Sequence, residues 1–204
     1  MKTIAIIGAG SHTRSSINIL TSHYNKCNFK IYDDSFNVND DEYIHNIKVF
    51  GMVKDIENNA NIFLSVGNNK QRKKYFNEFK NNIIEENLFH EISFCENNIK
   101  LGISNQIYAN AYINSYVNIG DNNIINTSSI LEHEVTIGSH NHVSVGAKLC
   151  GRVLIGDNCM IGANSVVIDK VRICDNVIIG AGSVVIKDII ESGVYVGNPI
   201  RKIK

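Results

Sequence analysis

The sequence predicts an α/β domain followed by an all-β solenoid, and three observations predict it. From Leu101 to Ile190 an aliphatic residue returns at every sixth position without an insertion. Within that stretch, pairs containing Gly or Asp return at every eighteenth position. Ahead of it, apolar runs of strand length alternate with helical stretches and Gly-rich turns. A period of six fits neither helical amphipathicity, near 3.6, nor the two-residue alternation of a strand. A stack of six-residue units is what remains.

The solenoid is the firmer half. Cut into sixes from Leu101, the first position is aliphatic in fifteen of fifteen blocks, through Ile107, Ile113 and onward to Ile179 and Val185. The fifth position is small or β-branched, as at Ala111, Val117, Val135, Ser165 and Val177, and suits a tight interior. Asn123 and Asn141 are its polar exceptions. Gly120-Asp121, Gly138-Ser139, Gly156-Asp157 and Cys174-Asp175 stand eighteen residues apart, so three blocks close one coil and these pairs mark a corner. The prediction is a triangular prism of about five coils whose flat sides are short parallel strands.

The domain ahead of the repeat reads as strand Thr3 to Ile7, a Gly-rich turn and a helix from about Thr13. A second strand, Asn28 to Tyr32, ends in Asp33-Asp34; a third, Asn61 to Val66, ends in Gly67-Asn68-Asn69 and feeds a charged helix from Lys70 to about Asn81. This is a reduced doubly wound, Rossmann-like unit, and such units bind ligands at the carboxyl ends of their strands. The expected division is 1–82 for this domain, 83–100 for a connector rich in Asn and Glu, and 101–204 for the solenoid, with Pro199 in a terminal cap.

Composition excludes several functions. The formal net charge is zero and Lys and Arg are scattered, which leaves no footprint for nucleic acid. The one basic run, Arg72-Lys73-Lys74, reads as a solvated helix face. No signal pattern opens the chain and no apolar run reaches membrane length, so a cytoplasmic protein is expected. Five cysteines without CxxC spacing indicate neither a disulfide framework nor a metal site.

Two regions carry candidate chemistry. Gly8-Ala9-Gly10-Ser11-His12-Thr13 lacks the last Gly of a dinucleotide fingerprint, which argues against NAD. Its helix N-terminus still offers backbone N–H groups to a pyrophosphate, with Ser11, His12 and Thr13 adding donors, unless it is a plain strand-to-helix turn. Asp33 and Asp34 would accept from a ribose or base, or form a solvated turn, and Gly67 would admit a ligand close to backbone. In the solenoid, His133, His140 and His142 cluster within ten residues, beside Glu132 and Glu134. A neutral imidazole with a carboxylate partner can take a proton from an amine or hydroxyl that attacks a thioester. No Ser or Cys sits in a nucleophile elbow, which favours direct transfer. In a regular strand both glutamates would point away from His133, so a Glu134 partnership requires residues 133 and 134 to form a corner.

The run IINTSSILEHEVTIGSHNHVSVGAKLCG, 124–151, together with GAGSH, the Asp33-Asp34 strand end and SVGNNKQRKK at 65–74, resembles the sialic-acid O-acetyltransferase-like group of hexapeptide-repeat enzymes. Within that group the chain is most similar to bacterial N-acetyltransferases of nucleotide-linked 4-amino-4,6-dideoxy sugars, as in bacillosamine biosynthesis. The resemblance implies a left-handed β-helix and acetyl-CoA-dependent acetylation of the 4-amino group of a UDP- or dTDP-linked sugar, for surface glycan or O-antigen biosynthesis. It implies His133 as general base with Glu134 as its partner, and Asn126 near the reacting centre. It implies that His142, Ala163 and Ala181 contact acetyl-CoA, and that Gly10, Ser11, His12, Asp33, Asp34 and Gly67 hold the nucleotide-linked amino sugar. A homotrimer with active sites between subunits and no metal completes the expectation. O-acetylation of sialic acid or a related sugar, and a non-catalytic assembly scaffold, stay open, as does the choice among UDP, dTDP and GDP.

Overall fold

The computed structural model describes residues 2–37 and 42–204, and these divide into two units at Glu85/Glu86. In the first unit the chain runs β1 (Thr3–Ile7), α1 (Ser11–His23), β2 (Asn28–Tyr32), β3 (Tyr43–Ile44), β4 (Ile47–Gly51), β5 (Asn61–Leu64) and α2 (Asn69–Glu78). The sheet order is β3-β4-β2-β1-β5, parallel except for the β3/β4 hairpin. β1 lies between β2 and β5, which is why its residues Ile4 to Ile7 form an unbroken apolar run with at most 1% exposure.

Three sequence expectations change here. α1 starts at Ser11 rather than near Thr13, and the third strand stops at Leu64. The β3/β4 hairpin was not anticipated: its turn, His45-Asn46, has both residues at positive φ, +47° and +64°, a two-residue turn matched to strand twist. The basic run is not a solvated face throughout, because Arg72 is wholly buried. It donates from Nη1 to Val66 O at 3.0 Å and Gly67 O at 3.3 Å, and from Nη2 to Asn69 Oδ1 at 2.9 Å. A guanidinium can be buried when its donors are met, and here they hold the turn after β5.

The second unit is a three-sided parallel solenoid. One face stacks strands from Leu88–Phe89 through Ile124–Ile125 and His142–Val143 to Gly193–Val196; the second runs from Phe94–Cys95 through Ile130–Leu131 to Val184–Val185; the third runs from Lys100–Leu101 to Arg172–Ile173. Partners are eighteen residues apart, as in Tyr112 opposite Ile130 and Ile130 opposite Lys148. The sixth-position aliphatics stack inside, with Ile113, Leu131, Leu149 and Val167 all at 0% exposure. After Ile190, Gly193–Val196 extends the first face and Arg201–Lys202 closes it as an antiparallel edge.

The solenoid begins earlier than expected. Residues 88–100, assigned to a connector, supply a complete coil, pairing Leu88 with Gln106, Phe94 with Tyr112 and Lys100 with Asn118. The inward positions of this coil are Phe89 and Cys95, so a search for aliphatic residues stops one coil short.

Two further periods support the prism. A residue of positive φ recurs every six positions from Asn98 through Ser104, Asn110, Tyr116 and Asn122 to Glu134 and His140. These are the corners, where the chain leaves extended geometry, and Asn tolerates that conformation best among residues with a side chain. The polar exceptions Asn123 and Asn141 form a ladder with Asn105, which holds the fifth position of the first block: Asn105 Oδ1 accepts from Asn123 N at 2.8 Å, Asn123 Oδ1 from Asn141 N at 2.7 Å, and Asn141 Oδ1 from Cys159 N at 2.6 Å. Each buried amide thus satisfies a backbone N–H of the next coil.

Candidate active site

In the first unit the loops after β1, β2 and β5 meet, as carboxyl ends of parallel strands do. They surround a cavity of about 270 Å³ lined by Gly10, Ser11, His12, Asp33, Asp34 and Gly67, the six residues singled out in this domain. Gly10 caps α1 with no side-chain hydrogen bond to the helix, so the first N–H groups of α1 are not closed off by a cap. Gly8, at φ +113°, cannot carry a side chain, because a Cβ would sit 2.6 Å from Ser65 O.

Thr13 does not serve as a donor to the cavity. It is wholly buried, and its hydroxyl donates to Gly8 O at 2.8 Å and Ser65 O at 3.3 Å, tying α1 to the ends of β1 and β5.

Both aspartates brace loops as well as facing the cavity. Asp33 Oδ2 accepts from Ala9 N at 2.7 Å and its Oδ1 from Ser35 N at 2.9 Å. Burial pushes this carboxyl up, but the hydrogen bonds from Ser35 and Ala9 outweigh it and hold the group below its ordinary value. Asp34 accepts from Val53 N at 3.2 Å and from the Tyr75 hydroxyl at 2.7 Å. Burial, followed by that bond to Asp34, raises the Tyr75 phenol. Tyr75, Gln71 and Asn68 also line the cavity and escaped the sequence reading. Their spacing of three and four residues along α2 was the available signal.

In the solenoid, His133 and Glu134 form the corner between the second and third faces, and Glu134 is one of the positive-φ residues, at +61°. The strand alternation that would separate them therefore fails, and Glu134 Oε1 lies 3.1 Å from His133 Nδ1. A carboxylate only accepts, so the Nδ1 proton is the one that meets Glu134, and in the neutral ring Nε2 is left with the lone pair. Arg152, one coil further on, reaches the same oxygen at 3.4 Å. The bond with His133, then Arg152, hold the Glu134 carboxyl below its ordinary value. Glu132 is engaged elsewhere, accepting from Asn114 Nδ2 at 2.7 Å. The corner is open, with the His133 side chain 43% exposed.

Asn126 lies at a different corner, and His142 lies on the strand that leads to that corner one coil on. Asn126 Nδ2 lies 3.0 Å from His142 Nε2, while Asn126 Oδ1 accepts from Thr127 N at 2.8 Å, which fixes the amide with its NH₂ toward the ring. This corner follows the first face, and one flat side, carrying the strand Ile130–Leu131, separates it from His133. Ala163 and Ala181 sit on the same corner column, where Asn164 N bonds Val145 O and Gly182 N bonds Ala163 O. His140 is separate again, its Nδ1 2.9 Å from Asn122 Nδ2. One chain therefore brings His133 and Glu134 together, and Asn126 and His142 together, but not the two pairs.

Burial pushes the Cys159 thiol up to about 12. Among the described residues no group of three or more His, Cys, Asp or Glu side chains is arranged to hold a metal ion, and no helix is long and apolar enough to cross a membrane.

Comparison with known proteins joins these observations. Residues 3–79 match the PglD N-terminal domain, and residues 152–187 match the bacterial transferase hexapeptide model of six repeats. No curated protein matches the chain. Among solved structures, the acetyltransferase domain of PglB from Neisseria gonorrhoeae is similar at 22% identity and TM-score 0.88, with 100% of each chain covered. The same domain in complex with acetyl coenzyme A matches at 22% identity and TM-score 0.86, covering 99% of each chain. PerB from Caulobacter crescentus, in complex with CoA and GDP-perosamine, is similar at 25% identity and TM-score 0.87, covering 100% of this chain and 98% of that one. The chain is thus similar to the PglD N-terminal domain over 3–79 and to bacterial transferase hexapeptide repeats over 152–187.

Proposed function

We propose that the protein is an acetyl-CoA-dependent N-acetyltransferase acting on the 4-amino group of a nucleotide-linked 4-amino-4,6-dideoxy sugar. The observation that carries this reading is the His133 corner, where Glu134 Oε1 fixes the proton on Nδ1 and leaves Nε2 as a base. The amine nitrogen attacks the acetyl carbonyl carbon and a C–N bond forms. The C–S bond of the thioester breaks, the amine proton passes to His133 Nε2, and from there it protonates the departing CoA sulfur. No covalent acyl-enzyme is needed.

The first-unit cavity is assigned to the nucleotide part. Uncapped N–H groups of α1, with Ser11 and His12, suit a pyrophosphate. Asp33, Asp34 and Gly67 complete that assignment. His142, Ala163 and Ala181 are assigned to acetyl-CoA, the two alanines leaving the corner backbone accessible.

The separation of the two corners supports a homotrimer. His133 and the Asn126–His142 pair stand a flat side apart in one chain, so a reacting centre that uses both is completed by a neighbouring copy, as three flat-sided prisms under cyclic symmetry permit.

The test is an acceptor panel of UDP-, dTDP- and GDP-linked 4-amino sugars and free sialic acid, each offered with acetyl-CoA and read by release of free thiol and by product mass. GDP is in the panel because PerB is bound to GDP-perosamine. An amide product from one nucleotide sugar is expected. Thiol release with sialic acid alone would sink the N-acetyl reading, and no CoA binding at all would leave an assembly scaffold.

A further inference from the structure

The corner that holds His133 repeats every eighteen residues, and its next two members are Gly151 and Asp169. The stacking is direct: Arg152 N donates to His133 O at 3.0 Å, and Lys170 N to Gly151 O at 2.9 Å. Gly151 is buried and is not among the positive-φ residues, so its backbone conformation does not require glycine. Space requires it. A Cβ at Gly151 would fall 2.7 Å from both Nε2 and Cε1 of His133, and 2.9 Å from Asp169 Oδ1. Ring and carboxylate both reach the same bare backbone. They are no more than about 6 Å apart by that construction.

We propose that Gly151 and Asp169 form the seat of the His133 imidazole, Gly151 by leaving the volume the ring occupies and Asp169 by facing the edge that receives the substrate proton. The proposal rests on the reading of His133 as general base. Glu134 holds the Nδ1 edge and Asp169 faces the opposite one, so the imidazolium formed during transfer lies between two carboxylates. The other charged or titratable groups around the ring are accounted for. Arg152 bonds Glu134, Lys170 Nζ stands 3.5 Å from Asp169 Oδ2 rather than Oδ1, and Glu132 is held by Asn114. Burial raises the Cys150 thiol, with Glu132 and Asp169 adding to the effect. Asp169 and Gly151 are positioning residues, since the group meeting the substrate is His133.

Three variants, Gly151→Ala, Asp169→Asn and Asp169→Glu, test the seat, with the acceptor from the panel and with heteronuclear NMR of the His133 Cε1–H group in the substrate-free protein. Gly151→Ala displaces the ring, and kcat is expected to fall about 10- to 100-fold with both KM values unchanged, the scale of an ångström misplacement. Asp169→Asn is expected to lower kcat about 3- to 10-fold with both KM values unchanged, since the imidazolium formed during transfer loses its facing carboxylate. Asp169→Glu should recover part of that loss. A wild-type kcat in Gly151→Ala or in Asp169→Asn overturns the seat. If the panel finds no acceptor, the acetyltransferase reading fails by itself and the NMR arm still decides: a Cε1–H signal that stays in place in both variants overturns the seat.

Discussion

The cavity of the first unit and the corner of the solenoid hold their functional groups in opposite ways. Around the cavity, nearly every polar group is pinned from behind: Asp33 by Ala9 and Ser35, Asp34 by Val53 and Tyr75, and the Gly67 turn by Arg72. At the corner, His133 is pinned on one edge by a glutamate that is itself 53% exposed, and its own side chain stays 43% exposed. A cavity braced on all sides is suited to binding a fixed shape. An open corner with one oriented base is suited to acting on whatever is delivered to it. If this division is right, substitutions in the two places separate affinity from turnover.

The largest separation is expected from His133→Ala. Removing the base should lower kcat about 10²- to 10⁴-fold, the ordinary range for general-base catalysis. Nucleotide affinity measured by calorimetry should be unchanged, because none of the cavity lining comes from the solenoid. Substantial turnover in the variant would break the comparison at its catalytic end.

Arg72→Ala is the counterpart in the first unit. It removes a buried cation that bonds Val66 O and Gly67 O and leaves those carbonyls without it. Hydrogen bonds from charged donors contribute about 1.5–3 kcal/mol, so a stability loss of that size is expected by denaturant titration. Nucleotide affinity should fall about tenfold or more, as about 1.4 kcal/mol of misplacement implies. The rate at saturating substrate should stay near wild type; a fall in kcat with unchanged affinity would invert the proposed division.

Asp33→Asn is expected to have a smaller effect that depends on pH. The folded carboxyl is held below its ordinary value of 3.8, so its contribution is fully present above that value and is lost as pH falls through the lower folded value. The group is partly exposed, and the effect should stay under about 1 kcal/mol after solvent screening. Wild type should therefore lose stability relative to Asp33→Asn below about pH 4. Parallel pH curves for the two proteins would show that the Ala9 and Ser35 bonds do not favour the charged form.

The two units also differ in how far they could be read from sequence. The solenoid was legible because one constraint, an inward side chain every sixth residue, is imposed on every coil. It failed only where Phe89 and Cys95 satisfy that constraint without being aliphatic. The corner geometry was half legible: that Glu134 could reach His133 only from a corner followed from strand alternation, whereas the corner itself is set by a positive φ that Tyr116, Glu134 and Arg152 adopt without being Gly or Asn. In the first unit, strand ends identified the cavity, because parallel sheets place loops there whatever their residues. What bonds across the cavity was not legible. Thr13 turning inward, Arg72 being buried and Tyr75 meeting Asp34 are contacts over 5, 6 and 41 residues that no local period encodes.

The smallest expected effect concerns the end of the asparagine ladder, where the solenoid tests its own regularity. Asn105 and Asn123 each donate from Nδ2 to a carbonyl fifteen residues ahead, Gly120 O and Gly138 O, at 2.8 and 3.0 Å. At Cys159 the thiol takes the equivalent place, 3.1 Å from Cys174 O. A thiol is a weak donor, and burial that pushes it up to about 12 keeps it protonated and inert. Cys159→Asn would replace it with an amide donor in the same register and is expected to stabilise the solenoid by about 0.5–1 kcal/mol, one net hydrogen bond. A thermal melt that falls instead would mean that the ladder ends at Cys159 because the prism is too narrow there for an amide, and that its regularity is limited by volume rather than by hydrogen bonding.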